Sequence, residues 1–281
     1  MHPKREPTEE MVKDSFSNSN VSGTLRVPLL IGTQSVPDTL YRFDVFRYDA
    51  ASGGPPRFQT YELEVNRQTS VLEGLLRIQD EQDPSLAFRS SCRGAVCGSC
   101  SMSISGRLNL ACRVQLHLLA ERRVVLEPLP GLDVVKDLVV DMDPFWAKYE
   151  RIQPWLHAEI TSAEDDRMSE PQRQRIDQFV NCILCGLCYA ACPVTKSDER
   201  FTGPAALAKL YRFLADSRER RDGATLEQED SPAGMWGCHT IMKCCEVCPK
   251  EVRPTDGIRG ARRKLLSHKL KQILRRNPRE T

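Results

Sequence analysis

From Tyr41 the chain acquires a period of two. Tyr41, Phe43 and Val45 alternate with Arg42 and Asp44, and after Gly53-Gly54-Pro55-Pro56 the apolar positions Tyr61, Leu63 and Val65 alternate again. Alternation over this length, broken by a Gly/Pro turn, predicts a two-stranded hairpin with one face in a core. Thr69-Ser70 then reads as a helix start. Val71, Leu72, Leu75, Leu76 and Gln79 fall on roughly one helical face behind it. Further short strands are predicted near Ser101–Ile104, Leu108–Ala111 and Val124–Leu126. Strand, strand, helix and then a cysteine loop is the order of a β-grasp fold.

The period changes in the second half. Pro171 to Val180 is polar and helical, and Pro204 to Ala215 carries Leu207, Leu210, Tyr211 and Leu214 at helical spacing. Ile258 to Leu270 reads as a basic amphipathic helix, and no strand pattern appears. The expected class is therefore α+β: residues 39–145 a β-grasp domain, 146–281 an α-helical domain. The boundary is placed near Asp143-Pro144, ahead of Phe145 to Trp155. Trp146 and Trp155 are expected to pack at the junction. Residues 1–38, with a polar run from Ser15 to Gly23, read as an extension that is flexible or docks on a partner.

Composition narrows the classes. Lys plus Arg is 40 and Asp plus Glu 38 among 281 residues, with 40% apolar and 28% charged. That balance disfavours wholesale disorder and a basic nucleic-acid binder. The N-terminus has no apolar h-region. The richest apolar stretch, Leu108 to Leu129, is interrupted by Arg113, His117, Glu121, Arg122 and Arg123, so it falls short of a membrane span of about 18 residues. A soluble chain is expected, reaching a membrane only through a partner.

The 12 cysteines change the picture. In a reducing cytosol, clustered thiols hold metal more often than they pair. The first group, Cys92, Cys97, Cys100 and Cys112, has the plant-ferredoxin spacing for a 2Fe–2S cluster. Gly94 and Gly98 allow close backbone approach. A zinc site is the weaker alternative, because structural zinc prefers paired C-x2-C knuckles. The second group, Cys182, Cys185, Cys188 and Cys192-Pro193, is the bacterial ferredoxin run, whose fourth cysteine crosses to another cluster. In the same frame the third group reads Cys238, Ile241, Cys244 and Cys248-Pro249. Cys182, Cys185, Cys188 and the crossing Cys248 then complete a 4Fe–4S set. Cys192, Cys238 and Cys244 supply only three thiolates, with Ile241 at the fourth corner. That favours a 3Fe–4S cluster over a labile 4Fe–4S cluster with a non-cysteine ligand. Cys245 is spare, either an inert buried thiol or a substitute for Cys244.

With these motifs on the page, residues 41 to 270 closely resemble the iron–sulfur subunits of the respiratory complex II family. The likeness rests on Phe88-Arg89-Ser90-Ser91-Cys92-Arg93, Cys97-Gly98-Ser99-Cys100, Leu110-Ala111-Cys112 and Asp137-Leu138-Val139-Val140-Asp141-Met142. It continues through Cys182-Ile183-Leu184-Cys185-Gly186-Leu187-Cys188, Phe201 to Arg218 and Cys238-His239-Thr240-Ile241-Met242-Lys243-Cys244. The resemblance implies an electron-transfer subunit of a succinate:quinone oxidoreductase or quinol:fumarate reductase. It implies a flavoprotein partner with covalent FAD, a membrane anchor that can carry haem b, and single electrons passing through 2Fe–2S, 4Fe–4S and 3Fe–4S clusters to a quinone. It places the chain peripherally on the cytoplasmic face of a bacterial or archaeal inner membrane. Pro193, His239 and Ile241 match positions that help form the quinone pocket. His239 would hydrogen-bond the quinone or a haem propionate, or be an interface histidine without a ligand role. Carbon chemistry belongs to the partner, since no dinucleotide fingerprint is present. An iron–sulfur subunit of another soluble fumarate reductase or dehydrogenase is the alternative. Two departures stand out. Val194-Thr195-Lys196-Ser197 supplies no aromatic after Cys-Pro, which leaves menaquinone open, and Ala95 stands where the family usually has glycine. Arg89, Arg93 and Arg113 are read as raising the 2Fe–2S potential or, equally, as pairing with the flavoprotein. The C-terminal basic run Arg259, Arg262, Arg263, Lys264, Lys269, Lys271, Arg275 and Arg276 reads as a contact with anionic headgroups or as a solvated face.

Overall fold

The computed structural model describes residues 39–66, 68–158, 167–221 and 223–276. The expected N-terminal extension, 1–38, lies outside them. The alternating segments form β1 (Thr39–Arg47) and β2 (Arg57–Val65), paired antiparallel with Phe43 opposite Tyr61. α1 (Val71–Glu81) follows. Its start is set by a capping box: Ser70 Oγ accepts from Glu73 N at 3.2 Å and Glu73 Oε2 accepts from Ser70 N at 2.7 Å. β3 (Ser101–Ile104), β4 (Arg107–Leu110) and β5 (Arg123–Glu127) complete a five-stranded sheet in the order β2-β1-β5-β3-β4. β1 and β5 run parallel, and every other pair is antiparallel.

α1 lies on the apolar face of this sheet. A Cβ at Gly74 would come within 2.6 Å of Phe43 Cζ, so glycine sets how closely the helix approaches. Phe43, Leu72, Leu75 and Ile78 are fully or almost fully buried there. Each such side chain contributes about 1.5–3 kcal/mol. β6 (Val134–Lys136) and β7 (Val139–Val140) form a second, two-stranded sheet that the sequence pattern did not reveal. Strands of three and two residues are too short to show a period.

The β6–β7 turn carries a buried polar knot. Asp137, in the left-handed region at φ 48, accepts from Arg47 Nε at 3.0 Å, Tyr48 N at 3.1 Å and Ala87 N at 2.9 Å. Arg47 also donates to Asp83, and to Ser85 Oγ at 2.8 Å. One guanidinium thereby joins β1, the segment after α1 and the β6–β7 turn. Burial works to raise the Asp83 carboxyl, but hydrogen bonds from Ser85, Tyr61 and Arg47 outweigh it and hold the group well below the usual range.

The rest of the described chain is helical. α2 (Asp143–Arg151), α3 (Glu170–Val180), α4 (Leu187–Ala191), α5 (Pro193–Ser197) and α6 (Pro204–Leu214) come first. α7 (Ala224–Gln228), α8 (Lys243–Glu246) and α9 (Pro254–Arg276) follow. Proline in the first turn starts several of these helices, where its missing N–H costs nothing. Leu207 of α6 packs with Ile258, Ala261 and Leu265 of α9. α9 runs beyond the expected Ile258–Leu270 because no breaker intervenes before Pro278. Leu187 and Ala190 of α4 are buried in the same core as the sheet, so the two halves share one apolar interior. Trp146 packs edge-on against Phe145 beside that interior. Trp155 corrects its expectation: it is 54% exposed and stacks on His157 rather than packing into the junction.

Arg47→Ala should cost about 3–5 kcal/mol at neutral pH, because Asp137 is left buried without its cation. The Asp83 carboxyl is depressed in the folded state, so its contribution is present above the ordinary carboxylate pKa of about 4 and is lost as pH falls. The difference between variant and wild type in denaturant titrations should therefore shrink below about pH 4. A constant difference from pH 7 to pH 3 would contradict this account.

Candidate metal centres

The first cysteine group sits between α1 and β4. Cys92 and Cys97 are exposed, Cys100 is buried and Cys112 half-buried. The backbone bond from Ala111 N to Cys100 O, 2.9 Å, brings the end of β4 beside the loop and with it Cys112. Arg93, Ala95 and Gly98 adopt φ of 54°, 56° and 74°. These left-handed residues turn N–H groups inward, as in the concave backbone sites that receive anions and iron–sulfur clusters. Cys92 Sγ accepts from Gly94 N at 3.4 Å, Val96 N at 3.3 Å and Cys97 N at 3.2 Å. Ala95 takes this left-handed path at the steric cost of a Cβ. Ser99 Oγ lies 3.1 Å from Cys97 Sγ and chiefly draws that thiol down to about 6. Burial pushes Cys100 up to about 12. Such a buried thiolate needs compensating positive charge, which a metal core provides.

The second group rises from the loop after α3 into α4. Leu184 and Gly186 take φ of 54° and 78° between its cysteines. Cys182, Cys185, Cys188 and the distant Cys248 line one hollow, walled by Ala208 and Val252. Burial raises the Cys182 thiol and pushes Cys185 up to about 11, with neighbouring thiolates adding to both. Cys188 is raised well above its ordinary value, by burial and then by Cys182, Cys185, Cys244 and Cys248. Lys209 on α6 stands beside this group. Burial lowers its ammonium, while the Cys182 thiolate pulls the other way. Sequence reasoning did not single out Lys209. Its one signal is a lysine inside the otherwise apolar run Ala205–Leu210.

The third group gathers at the ends of three helical segments. Cys192 links α4 and α5, Cys238 follows the 3-10 turn Met235–Gly237, and Cys244 lies on α8. These three line a hollow together with Pro193, His239 and Ile241. Pro193, His239 and Ile241 are all exposed, so they form its rim. Thr240 and Met242 take φ of 61° and 67° around it. Burial pushes Cys244 up to about 12, against the Thr255 hydroxyl at 3.3 Å. Cys245 is half-buried and turned toward Thr255, 3.7 Å away. No aromatic follows Cys192-Pro193. Thr195 instead closes the turn, donating 2.7 Å bonds to the carbonyls of Tyr189 and Cys192.

The three groups lie in sequence through the molecule. A Cβ at Gly98 would come within 2.6 Å of Cys185 Cβ and 2.9 Å of Cys185 Cα, so the first and second loops touch. Cys188 feels the charge of Cys244, which links the second group to the third. Of the arginines read from sequence, Arg113 serves this join, whereas Arg89 bonds within the sheet half. Arg113 donates to the Pro249 carbonyl next to Cys248, and Arg89 donates to Val140 O at 2.8 Å. Among the described residues, no three His, Cys, Asp or Glu side chains converge on a single metal ion.

Residues 42–147 match a family described as a 2Fe–2S iron–sulfur cluster binding domain, and residues 178–252 a 4Fe–4S dicluster domain. The succinate dehydrogenase iron–sulfur subunit of Paracoccus denitrificans is 38% identical over 220 residues, 77% of this chain and 85% of that one. Its counterpart in Coxiella burnetii is 37% identical over 227 residues, 80% of this chain and 96% of that one. A chain of the Mycobacterium smegmatis Sdh1 complex in the apo form superposes with a TM-score of 0.74 at 28% identity, covering 83% of this chain and 98% of that one.

Gly98→Ala should destabilise the protein by about 1–3 kcal/mol through overpacking, with left-handed strain in addition. Gly94→Ala is the control, since its nearest neighbour would be 3.6 Å away. Thermal midpoint and acid-labile sulfide should both fall in the first variant and barely move in the second. Equal behaviour of the two would refute the close contact.

Proposed function

The chain belongs to the family of succinate dehydrogenase iron–sulfur subunits, and on that footing we propose that it relays electrons between a flavoprotein bearing FAD and a membrane quinone. As a member it is an electron-transfer subunit of the succinate dehydrogenase complex. The succinate and fumarate chemistry belongs to the flavoprotein partner. We divide the chain into an extension (1–38), a 2Fe–2S domain (39–145) and a helical two-cluster domain (146–281).

Cys92, Cys97, Cys100 and Cys112 would hold the 2Fe–2S cluster, Cys182, Cys185, Cys188 and Cys248 the 4Fe–4S cluster, and Cys192, Cys238 and Cys244 the 3Fe–4S cluster. When bound, these clusters supply one-electron redox chemistry over a range of potentials. The chain's own residues do the rest. The N–H groups of Gly94, Val96 and Cys97 stabilise anionic sulfur at Cys92. Lys209 sets a positive charge next to Cys182. The Gly98–Cys185 contact keeps the first two sites adjacent. Pro193, His239 and Ile241 form the rim where a quinone would arrive, with His239 offering a hydrogen bond.

The observation that carries the cluster assignment is Ile241 at the mouth of a hollow that, among the described residues, has three cysteines and no fourth. A membrane anchor, with or without haem b, would face that rim, placing the chain on the cytoplasmic face of the membrane. Among the described residues no helix is long and apolar enough to cross it. The lack of an aromatic in the four residues after Cys192-Pro193 leaves menaquinone open as the quinone.

Purification of the native complex should yield the chain with a flavoprotein, an anchor, quinone and about nine irons. Isolation of the chain alone and free of iron would overturn the reading. Ile241→Cys should abolish the oxidised-state EPR signal of a three-iron cluster and add about one iron per chain. An unchanged signal with unchanged iron content would remove the 3Fe–4S assignment.

A further inference from the structure

The last three turns of α9 leave an apolar stripe uncovered. Leu266, Leu270, Ile273 and Leu274 are 55%, 58%, 58% and 65% exposed. Their spacing of four, three and one residues places them on one side of the helix, within about 100°. The core side of α9, carrying Ile258, Ala261 and Leu265, is centred about 130° away. The stripe is thus not a frayed edge of the interior.

Cations flank it. Arg263, Lys264 and Lys271 are exposed and have no acidic partner among the described residues. With Ser267 and His268 they border a groove of about 550 Å³ whose floor is Tyr211, Leu214 and Leu226. Across the stripe, Lys269 pairs with Asp230, and Arg262 lies over the Trp236 ring at 5.1 Å. The Arg262 guanidinium also donates to the carbonyls of Met235 and Cys238. This fixes α9 against the segment that carries the third cysteine group.

We propose that the C-terminal half of α9 is a membrane-interfacial helix that binds anionic phospholipid. The stripe would enter the acyl boundary, and Arg263, Lys264 and Lys271 would take the headgroup phosphates. Four exposed aliphatic side chains with no aromatic among them suit a fluid apolar phase better than a specific protein pocket. The unpaired cations match negative headgroups and oppose self-association with a second copy. This deepens the membrane-peripheral part of the proposed function and rests on it. It needs neither anchor nor quinone, so either reading can fail without the other.

The test is sedimentation of the full, cluster-loaded chain with vesicles of phosphatidylglycerol and phosphatidylcholine, or of phosphatidylcholine alone. Partition onto the anionic vesicles should be at least about tenfold stronger and should weaken with salt. The exposed-site variants L266S/L270S/I273S and R263Q/K264Q/K271Q should each lose about tenfold or more, with unchanged helical circular dichroism and cluster absorbance. Equal partition onto both vesicle types would overturn the proposal, as would variants that bind like wild type. If the stripe variant still binds vesicles but loses the anchor during purification of the complex, a protein surface covers the stripe and the lipid proposal fails. That outcome would leave the electron-transfer function standing.

Discussion

Thiolate charge inside an apolar interior is the constraint around which this chain is organised. Burial, with neighbouring thiols adding to it, pushes Cys100 and Cys244 up to about 12 and Cys185 to about 11, and raises Cys188 well above its ordinary value. Thiols so placed repel one another once ionised and are costly to desolvate. They make physical sense as ligands to a cationic metal core that offsets their charge. The backbone contributes to the same end. Each cysteine loop contains residues forced left-handed: Arg93 and Ala95 in the first, Leu184 in the second, Thr240 and Met242 in the third. Such conformations cost of order 1–3 kcal/mol each and persist where surrounding structure over-determines them. Here they turn N–H groups toward sulfur.

Holding three such loops in a row demands a rigid frame on both sides. The sheet half supplies one wall through Phe43, Leu75 and the core around Cys100. The helical half supplies the other through the packing of α6 on α9. The two are not independent bodies joined by a tether. Leu187 and Ala190 enter the sheet's own core, Gly98 abuts Cys185, and Arg113 reaches the carbonyl of Pro249. Neighbouring groups are therefore fixed by direct contact rather than by a hinge, which suits a path that must keep its spacing. The Arg47 knot stiffens the far end of the sheet, tying the β6–β7 turn to β1.

Most elements were legible because their signals are local. The alternation at Tyr41–Val45, the turn at 53–56 and the helix start at Thr69-Ser70 each act within a few residues, and the structure follows them. What escaped was short or long-range. β6 and β7 have too few residues to show a period, and Asp137 is buried only because Arg47, 90 positions earlier, folds over it. Lys209 looked like an ordinary helix lysine until α6 was set beside Cys182. Trp155 was expected at the junction from its apolar mass, yet it lies outward on His157.

By itself the sequence determined the cysteine inventory, the three spacings, the absence of a fourth cysteine at position 241 and the change from strand to helix period. These are properties of neighbours along the chain, where ligand type and loop length limit the possible cluster. Only the tertiary structure decided that Cys248 shares a hollow with Cys182, Cys185 and Cys188 and that Cys192 shares one with Cys238 and Cys244. It also decided that Gly98 meets Cys185 and that one side of α9 stays bare. Each of these joins residues 46 to 87 positions apart, or depends on what packs over a helix. No local pattern encodes such distances. They follow from how two apolar faces, one with a period of two and one with a period of 3.6, close on a common core.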